Sequence, residues 1–502
     1  MLKLVALLSL VVGGAYGQAF PCPANHITAV TLGGNLPAGA TNITTIPRGT
    51  NCFFMFDIPN NYALLLKFSA DFQSTDDVVT IYDNTNTAVM HLSHTGQPIY
   101  DIPLWMSANS AMVQVVGTSG NSRFMLSYMY QSLADYQRVT KNTGEYFPLS
   151  SVTGKTYYTI TASANEKVVL SYGQRAGAKT DILLSEYYVY DGDNINTATY
   201  IGSLSKIGSK ITVASGRSVS IVNFYGTKSN AYALGNDAST VQGYSKYTII
   251  MTSLGTQVSG NMTDLTEQGA LYTFICTDCN NFLWIQNNFD SFATIVNKGY
   301  ISFQGQTPTH RREKLIRYDA QTFTSNSLPQ FMPANIVTVN LYLSRIGFLY
   351  NNFNDASAWL KPYHGRKGYI FAPNLWGTVN NNFNYRFQDD SQQFNFTMNF
   401  NKMYMPANTD QMTLKIGSGN TLAVDKLYPR DPANKVLATG NFMQVALAAS
   451  VAADVRLAFE MVQKIPPVPT APPTTTIQTT TSGASSDFAT MLLFVLLGLL
   501  QI

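Results

Sequence analysis

The chain has 502 residues, with 32 Lys and Arg against 29 Asp and Glu, a formal net charge of +3 at pH 7. Charged residues make up 12% of it, against about 25% in an average soluble protein. So weak a charge excludes a strongly basic nucleic-acid surface and an acidic disordered chain, and no nucleic acid partner is expected. The length suits about three or four domains.

At the start, Lys3 precedes an apolar run over residues 4–12, and Ala15-Tyr16-Gly17 places small residues where a signal peptidase reads. Residues 1–17 are therefore expected to be a signal peptide, cleaved before Gln18. In the oxidising compartment this implies, Cys22 and Cys52 are expected to pair. Cys276 and Cys279 read as a tight local disulfide rather than a redox pair, because no thioredoxin-like strand–helix pattern surrounds them. Asn42, Asn261 and Asn395 each open an Asn-x-Thr sequon and are expected to carry glycans on exposed surface.

Between these landmarks the hydrophobic period is two almost throughout. Residues 62–68, 77–82, 111–116 and 124–130 are rich in β-branched and aromatic side chains and read as strands. Asn, Gly, Asp and Ser clusters separate them. The chain also repeats itself. Val78-Val-Thr-Ile-Tyr-Asp-Asn84 recurs as Tyr187-Tyr-Val-Tyr-Asp-Gly192, and Val113-Gln-Val-Val-Gly-Thr118 as Val222-Asn-Phe-Tyr-Gly-Thr227. A fainter copy appears in Thr409-Asp-Gln-Met-Thr-Leu414 and Asn441-Phe-Met-Gln-Val-Ala446. The pattern predicts an all-β chain of antiparallel β-sandwiches in four units, residues 18–131, 140–254, 258–355 and 360–463. The basic cluster from His310 to Lys314, with Arg317 after it, reads as a solvated loop rather than an anionic-ligand patch.

After Lys464 the composition changes. Pro466-Pro-Val-Pro469, Pro472-Pro473 and two threonine runs predict an extended, O-glycosylated stalk over residues 464–482. Ser482-Gly483-Ala484, a short polar spacer and the apolar tail from Met491 to Leu500 form the pattern of a glycolipid-attachment signal. Ser482 is the expected attachment residue, residues 483–502 would be removed, and the partner would be the outer face of the plasma membrane.

The first two units resemble CUB domains, in the variant form of the nematode CUB-like family of secreted proteins. The residues that carry this are Cys22 and Cys52, Leu64-Leu-Leu-Lys-Phe68, Asp77-Val-Val-Thr-Ile-Tyr-Asp-Asn84 and, in the second unit, Tyr190-Asp191-Gly192. The resemblance covers about the first half of the chain and implies tandem CUB-like sandwiches that bind proteins or glycans. It also implies a calcium position. Asp77 matches the ligand that opens the motif strand, and Asp71 or Asp76 the earlier one. The later loop reads Gly117-Thr118 where the family has Ser-Asp, so the closing ligand is missing. In the second unit Ser185 or Glu186 stands at the opening position. A hard cation wants six to eight oxygens with net negative charge, so calcium is not expected as a cofactor. Asp77 and Asp83 are the weak metal candidates, but Asp83 and Asp191 are expected instead to cap the turns after their strands. The resemblance further implies export, association with membrane rafts and a part in defence at the gut surface.

No catalytic set emerges. His91 and His94 lack a carboxylate partner motif, His26, His310 and His364 are isolated, and Gly-x-Ser-x-Gly, His-Glu-x-x-His and phosphate loops do not occur. The chain reads as a non-enzymatic, anchored binding or barrier glycoprotein. A coat glycoprotein without a specific ligand is the alternative, and a secreted hydrolase a more distant one.

Overall fold

The structure, a computed structural model, describes residues 20–290 and 298–464. The expected signal peptide, the stalk beyond Lys464, and Ser482 with the tail after it lie outside the described residues. Among those described, the strands form seven sheets. Alternation sets their faces. Ser110–Gly117 buries every second residue, and Asp454–Gln463 does so over most of its length, as a half-buried strand must.

In the first sandwich one sheet runs Thr50–Asp57, Ser110–Gly117, Val78–Asp83, Ala88–Leu92. The other runs Gly33–Leu36, Arg123–Ser132, Tyr62–Asp71, Ile99–Met106. Phe54, Val113, Leu64 and Leu126 meet between them. Cys22 is bonded to Cys52, and further along Cys276 to Cys279. Tyr62–Asp71 is buried at nearly every position. Its second face is covered too, since Ala63 packs with Leu133, Tyr157 and Tyr188 of the next sandwich.

The second sandwich pairs the sheet Gln137–Asn142, Thr156–Thr161, Ser218–Asn223, Tyr187–Asp191, Thr199–Ser203 with one of eight strands. That eight-stranded sheet continues into the third sandwich, whose other layer is Gln257–Asp264, Ser344–Asn351, Phe282–Phe289, Gln330–Met332. The fourth is built from Arg366–Phe371, Asp454–Gln463, Phe394–Tyr404, Lys435–Gly440 against Phe383–Gln388, Phe442–Ala448, Gln411–Ser418, Thr421–Tyr428.

The all-β, mostly antiparallel architecture read from the sequence is present, with parallel pairs added. Lys246–Thr252 runs parallel both to Val168–Arg175 and to Ala270–Cys276, and Gln137–Asn142 parallel to Thr156–Thr161. Parallel neighbours need a crossover. Between Thr252 and Ala270 the chain supplies one through Gln257–Asp264 in the opposite layer. Ala270–Cys276, inside the shared sheet, is buried at every residue.

The repeated segments occupy matching places. Val78–Asp83 lies beside Ser110–Gly117, Tyr187–Asp191 beside Ser218–Asn223, and Gln411–Ser418 beside Phe442–Ala448.

Candidate functional site

At the start of the repeated strand stands a carboxylate. Asp77 is fully buried. Its Oδ1 accepts from the Thr118 amide at 2.6 Å, the Thr118 hydroxyl at 2.9 Å and the Ser119 amide at 3.0 Å. Its Oδ2 accepts from the Ser122 hydroxyl at 2.6 Å and from the Ser119 hydroxyl. Burial alone would raise the Asp77 pKa, but the bonds from Ser119, Ser122 and Thr118 outweigh it and hold the carboxyl well below the usual carboxylate range.

The motif recurs. Glu186, just before Tyr187–Asp191, accepts from the Thr227 hydroxyl, and Asp410, just before Gln411–Ser418, accepts from the Ser450 amide and hydroxyl. In each case the donor follows the neighbouring strand.

These residues do not fit calcium. The oxygens of Asp77 face five protons, and a cation requires lone pairs directed at it. Asp71 Oδ1 accepts from Gln73 at 2.7 Å, and Asp76 is exposed. Asp83 Oδ1 takes the Thr85 amide and hydroxyl and the Thr87 amide, capping its turn. Asp191 differs from the expectation: it does not cap its own turn, but its Oδ2 accepts from the Ser215 amide at 2.8 Å. Among the described residues no group of three His, Cys, Asp or Glu side chains is placed to hold a metal.

The seam between the first and second sandwiches is aromatic. Trp105 stacks on Phe224 with centroids 5.3 Å apart. The Tyr188 hydroxyl donates to the Trp105 carbonyl at 2.5 Å, and the Trp105 amide donates to the Tyr225 hydroxyl at 3.1 Å. Beside this contact lies a cleft of about 430 Å³ lined by Trp105, Tyr188, Tyr200 and Tyr225 with Asp83 and Glu186.

The segment from His310 to Lys314 is an exposed loop, as the sequence suggested, and it is also tied down at both ends. Thr309 donates to Asn236 and accepts from the Asp237 amide, and Glu313 forms a bidentate pair with Arg456 at 2.6 Å. Gly144, at φ +86°, leaves the space the His310 ring fills. The segment thus ties the second, third and fourth sandwiches together. Its spacing carried no signal of this, because every partner is distant in sequence.

Asn42 and Asn261 are exposed. Asn395 is half-buried on Phe394–Tyr404, its Oδ1 accepting from Thr439 at 2.7 Å. The histidines remain apart: His91 meets Thr80 at 3.0 Å, His26 meets Asp57 at 2.9 Å, and His94 meets the Phe72 carbonyl.

Residues 18–134 match the family model of the CUB-like domain. No curated protein matches the chain. Among solved structures, the CUB1-EGF-CUB2 domain of human MASP-1/3 is similar over 41% of this chain and 99% of that one, at 11% identity and a TM-score of 0.18. The corresponding domains of rat MASP-1 are similar over 65% and 99%, at 6% identity and 0.18. The full extracellular region of zebrafish Gpr126/Adgrg6 is similar over 87% and 52%, at 9% identity and 0.18. A CUB-like domain points to an extracellular binding module, and among the described residues no helix is long and apolar enough to cross a membrane.

Proposed function

We propose that this protein is a non-enzymatic binding glycoprotein displayed outside the cell on a glycolipid anchor, with a part in innate defence at an epithelial surface such as the gut. The observation that carries the binding role is the cleft at the first seam, where four aromatic rings and two carboxylates converge beside a rigid contact. Clefts at module interfaces are common ligand sites. The histidines, dispersed among unrelated partners, support the non-enzymatic reading. The terminal signals, the Pro/Thr stalk, the sequons at Asn42, Asn261 and Asn395, and the resemblance of the first half to the nematode CUB-like family support the anchor, the glycans and the setting.

Two measurements test this. Phosphatidylinositol-specific phospholipase C should release the protein from expressing cells, and retention on the cells would overturn the anchor. On a glycan array and against whole bacteria the protein should bind selectively, and Trp105→Ala should weaken that binding. Binding without selectivity would favour a coat glycoprotein instead.

A further inference from the structure

A second cleft, of about 390 Å³, lies where the helix Ala238–Val241 and the turn after it face the strands Tyr300–Gly305 and Ile336–Tyr342. Its walls are tyrosines. Tyr300 and Tyr342 stack at 5.2 Å, and Tyr244 stands opposite. Arg311 and Lys314 line its rim, and among the described residues neither forms an ion pair. Three carboxylates nearby are engaged elsewhere: Asp319 holds Arg317 at 2.6 and 2.8 Å, Glu166 holds the Ser239 amide and hydroxyl, and Glu313 turns away to Arg456. Lys314 lies 5.9 Å from the Tyr300 centroid, on the ring that Arg317 covers at 4.0 Å. Burial, then the Arg311 and Arg317 charges, holds Lys314 below the usual lysine range. Arg311 and Lys314, like charges without an ion-pair partner among the described residues, are better accommodated once an anion joins them.

The cleft walls add a second requirement. Tyr244 and Tyr342 are half-buried and line the cleft. Their rings suit the apolar C–H face of a pyranose, which a bare sulfate or phosphate does not have.

We propose that this cleft binds a sulfated saccharide. Arg311 and Lys314 would take its sulfate, and Tyr244 and Tyr342 its ring. The inference rests on reading the chain as a binding protein, and concerns a site separate from the acidic cleft at the first seam.

The test is titration calorimetry on the intact glycoprotein with a heparin-derived hexasaccharide, its desulfated and N-acetylated counterpart, inorganic sulfate and phosphatidylserine vesicles, at low and at physiological salt. The sulfated hexasaccharide should bind, more weakly as salt rises, and inorganic sulfate at least tenfold more weakly than the hexasaccharide. The double variant Arg311→Gln, Lys314→Gln should lose at least tenfold in affinity with an unchanged unfolding midpoint. Lys435→Gln, exposed in the fourth sandwich, should bind as the parent does. Equal binding of the desulfated sugar, binding of vesicles alone, or an unaffected double variant would overturn the proposal. Selective binding to other glycans or to bacteria in those cases would leave the broader reading standing.

Discussion

Ser450 donates both its amide and its hydroxyl to Asp410 Oδ1, at 2.7 and 2.8 Å, and Thr118 does the same to Asp77 Oδ1, at 2.6 and 2.9 Å. Two sandwiches at opposite ends of the described chain therefore close the same corner in the same way. A carboxylate entering one strand is gripped by the first hydroxyl residue beyond the next. The grip joins strand ends with charge-assisted bonds, roughly twice as strong as neutral ones.

Asp77→Asn tests that role. The amide keeps the shape but turns two of its own protons toward the Ser119 and Ser122 hydroxyls or toward the Thr118 pair. The expected loss is at least about 2 kcal/mol for a buried, charge-assisted network, or roughly 10 °C in the unfolding midpoint of the first sandwich. Calorimetry reads it directly. A midpoint within a degree of the parent would show that the network contributes nothing.

The same carboxylate has a signature in pH. Its native pKa lies below the ordinary unfolded value of about 3.9. The stability it contributes is present in full above about pH 4 and is lost as pH falls from there toward the native pKa. Asp410, depressed chiefly by the Ser450 amide, has the same sign. Circular dichroism melts between about pH 2.5 and 6 should show the midpoint of the parent falling steeply below pH 4. Asp77→Asn should have a shallower slope. Parallel slopes would remove Asp77 from the account.

Calcium should leave the protein unmoved. A hundredfold excess over its dissociation constant would add about 2.7 kcal/mol to any state that binds it, a shift of many degrees. Five donors already occupy the Asp77 oxygens, so neither millimolar calcium nor EDTA should shift the melt. A rise of several degrees with calcium would mean that the Thr118–Ser119 loop opens to admit an ion.

Much of this was legible in the sequence. The period-two runs at residues 62–68 and 111–116 became strands because a strand with a buried face must alternate, or be apolar throughout where both faces are covered. The echo of residues 76–81 at 409–414 located equivalent strands in the first and fourth sandwiches. The parallel neighbours of Lys246–Thr252 were not legible, since alternation tells which face is buried and not which strand lies alongside. The Asp77 corner was read by what Gly117-Thr118 lacks. Its replacement, hydroxyls at Thr118, Ser119 and Ser122, acquires meaning only once the fold brings residues 41 to 45 apart into contact. The Tyr244–Arg311–Tyr342 cleft was hidden for the same reason.

The first seam predicts a mechanical result. Trp105 gives one ring and two backbone bonds to the second sandwich. Tyr188→Phe leaves the Trp105 carbonyl without its donor, at a cost of about 1–2 kcal/mol, and Trp105→Ala also removes the stack on Phe224. Both sandwiches keep their own cores, so each should still melt cooperatively. Limited proteolysis should then cut faster at the connection near residues 133–136, more in Trp105→Ala than in Tyr188→Phe. Unchanged cleavage would mean that the shared Ala63–Leu133–Tyr157 cluster holds the seam alone.

Arg366 sets the strictest condition between the third and fourth sandwiches. It is fully buried, and among the described residues no carboxylate forms an ion pair with it. Its Nη2 donates to the Pro329 carbonyl at 2.8 Å and the Trp359 carbonyl at 3.1 Å, and its guanidinium lies over the Tyr363 and Phe459 rings at 5.2 and 5.8 Å. Burial lowers its pKa, with Tyr363 opposing, yet a guanidinium stays charged in proteins. A buried cation is costly unless its protons are satisfied, and Arg366 meets this through Nη1 and Nη2 while its Nε has no partner among the described residues. Arg366→Lys keeps the charge but loses the planar guanidinium that lies over the Tyr363 and Phe459 rings and reaches the Tyr363 hydroxyl through Nη1 as well as the two carbonyls through Nη2, so it should be the worse replacement. Arg366→Met removes the charge, fills much of the volume and orphans the Pro329 and Trp359 carbonyls, for a loss of roughly 2–4 kcal/mol. The expected order of unfolding midpoints is parent, then Met, then Lys. If Lys proved the milder change, charge rather than fork geometry would be what this position requires.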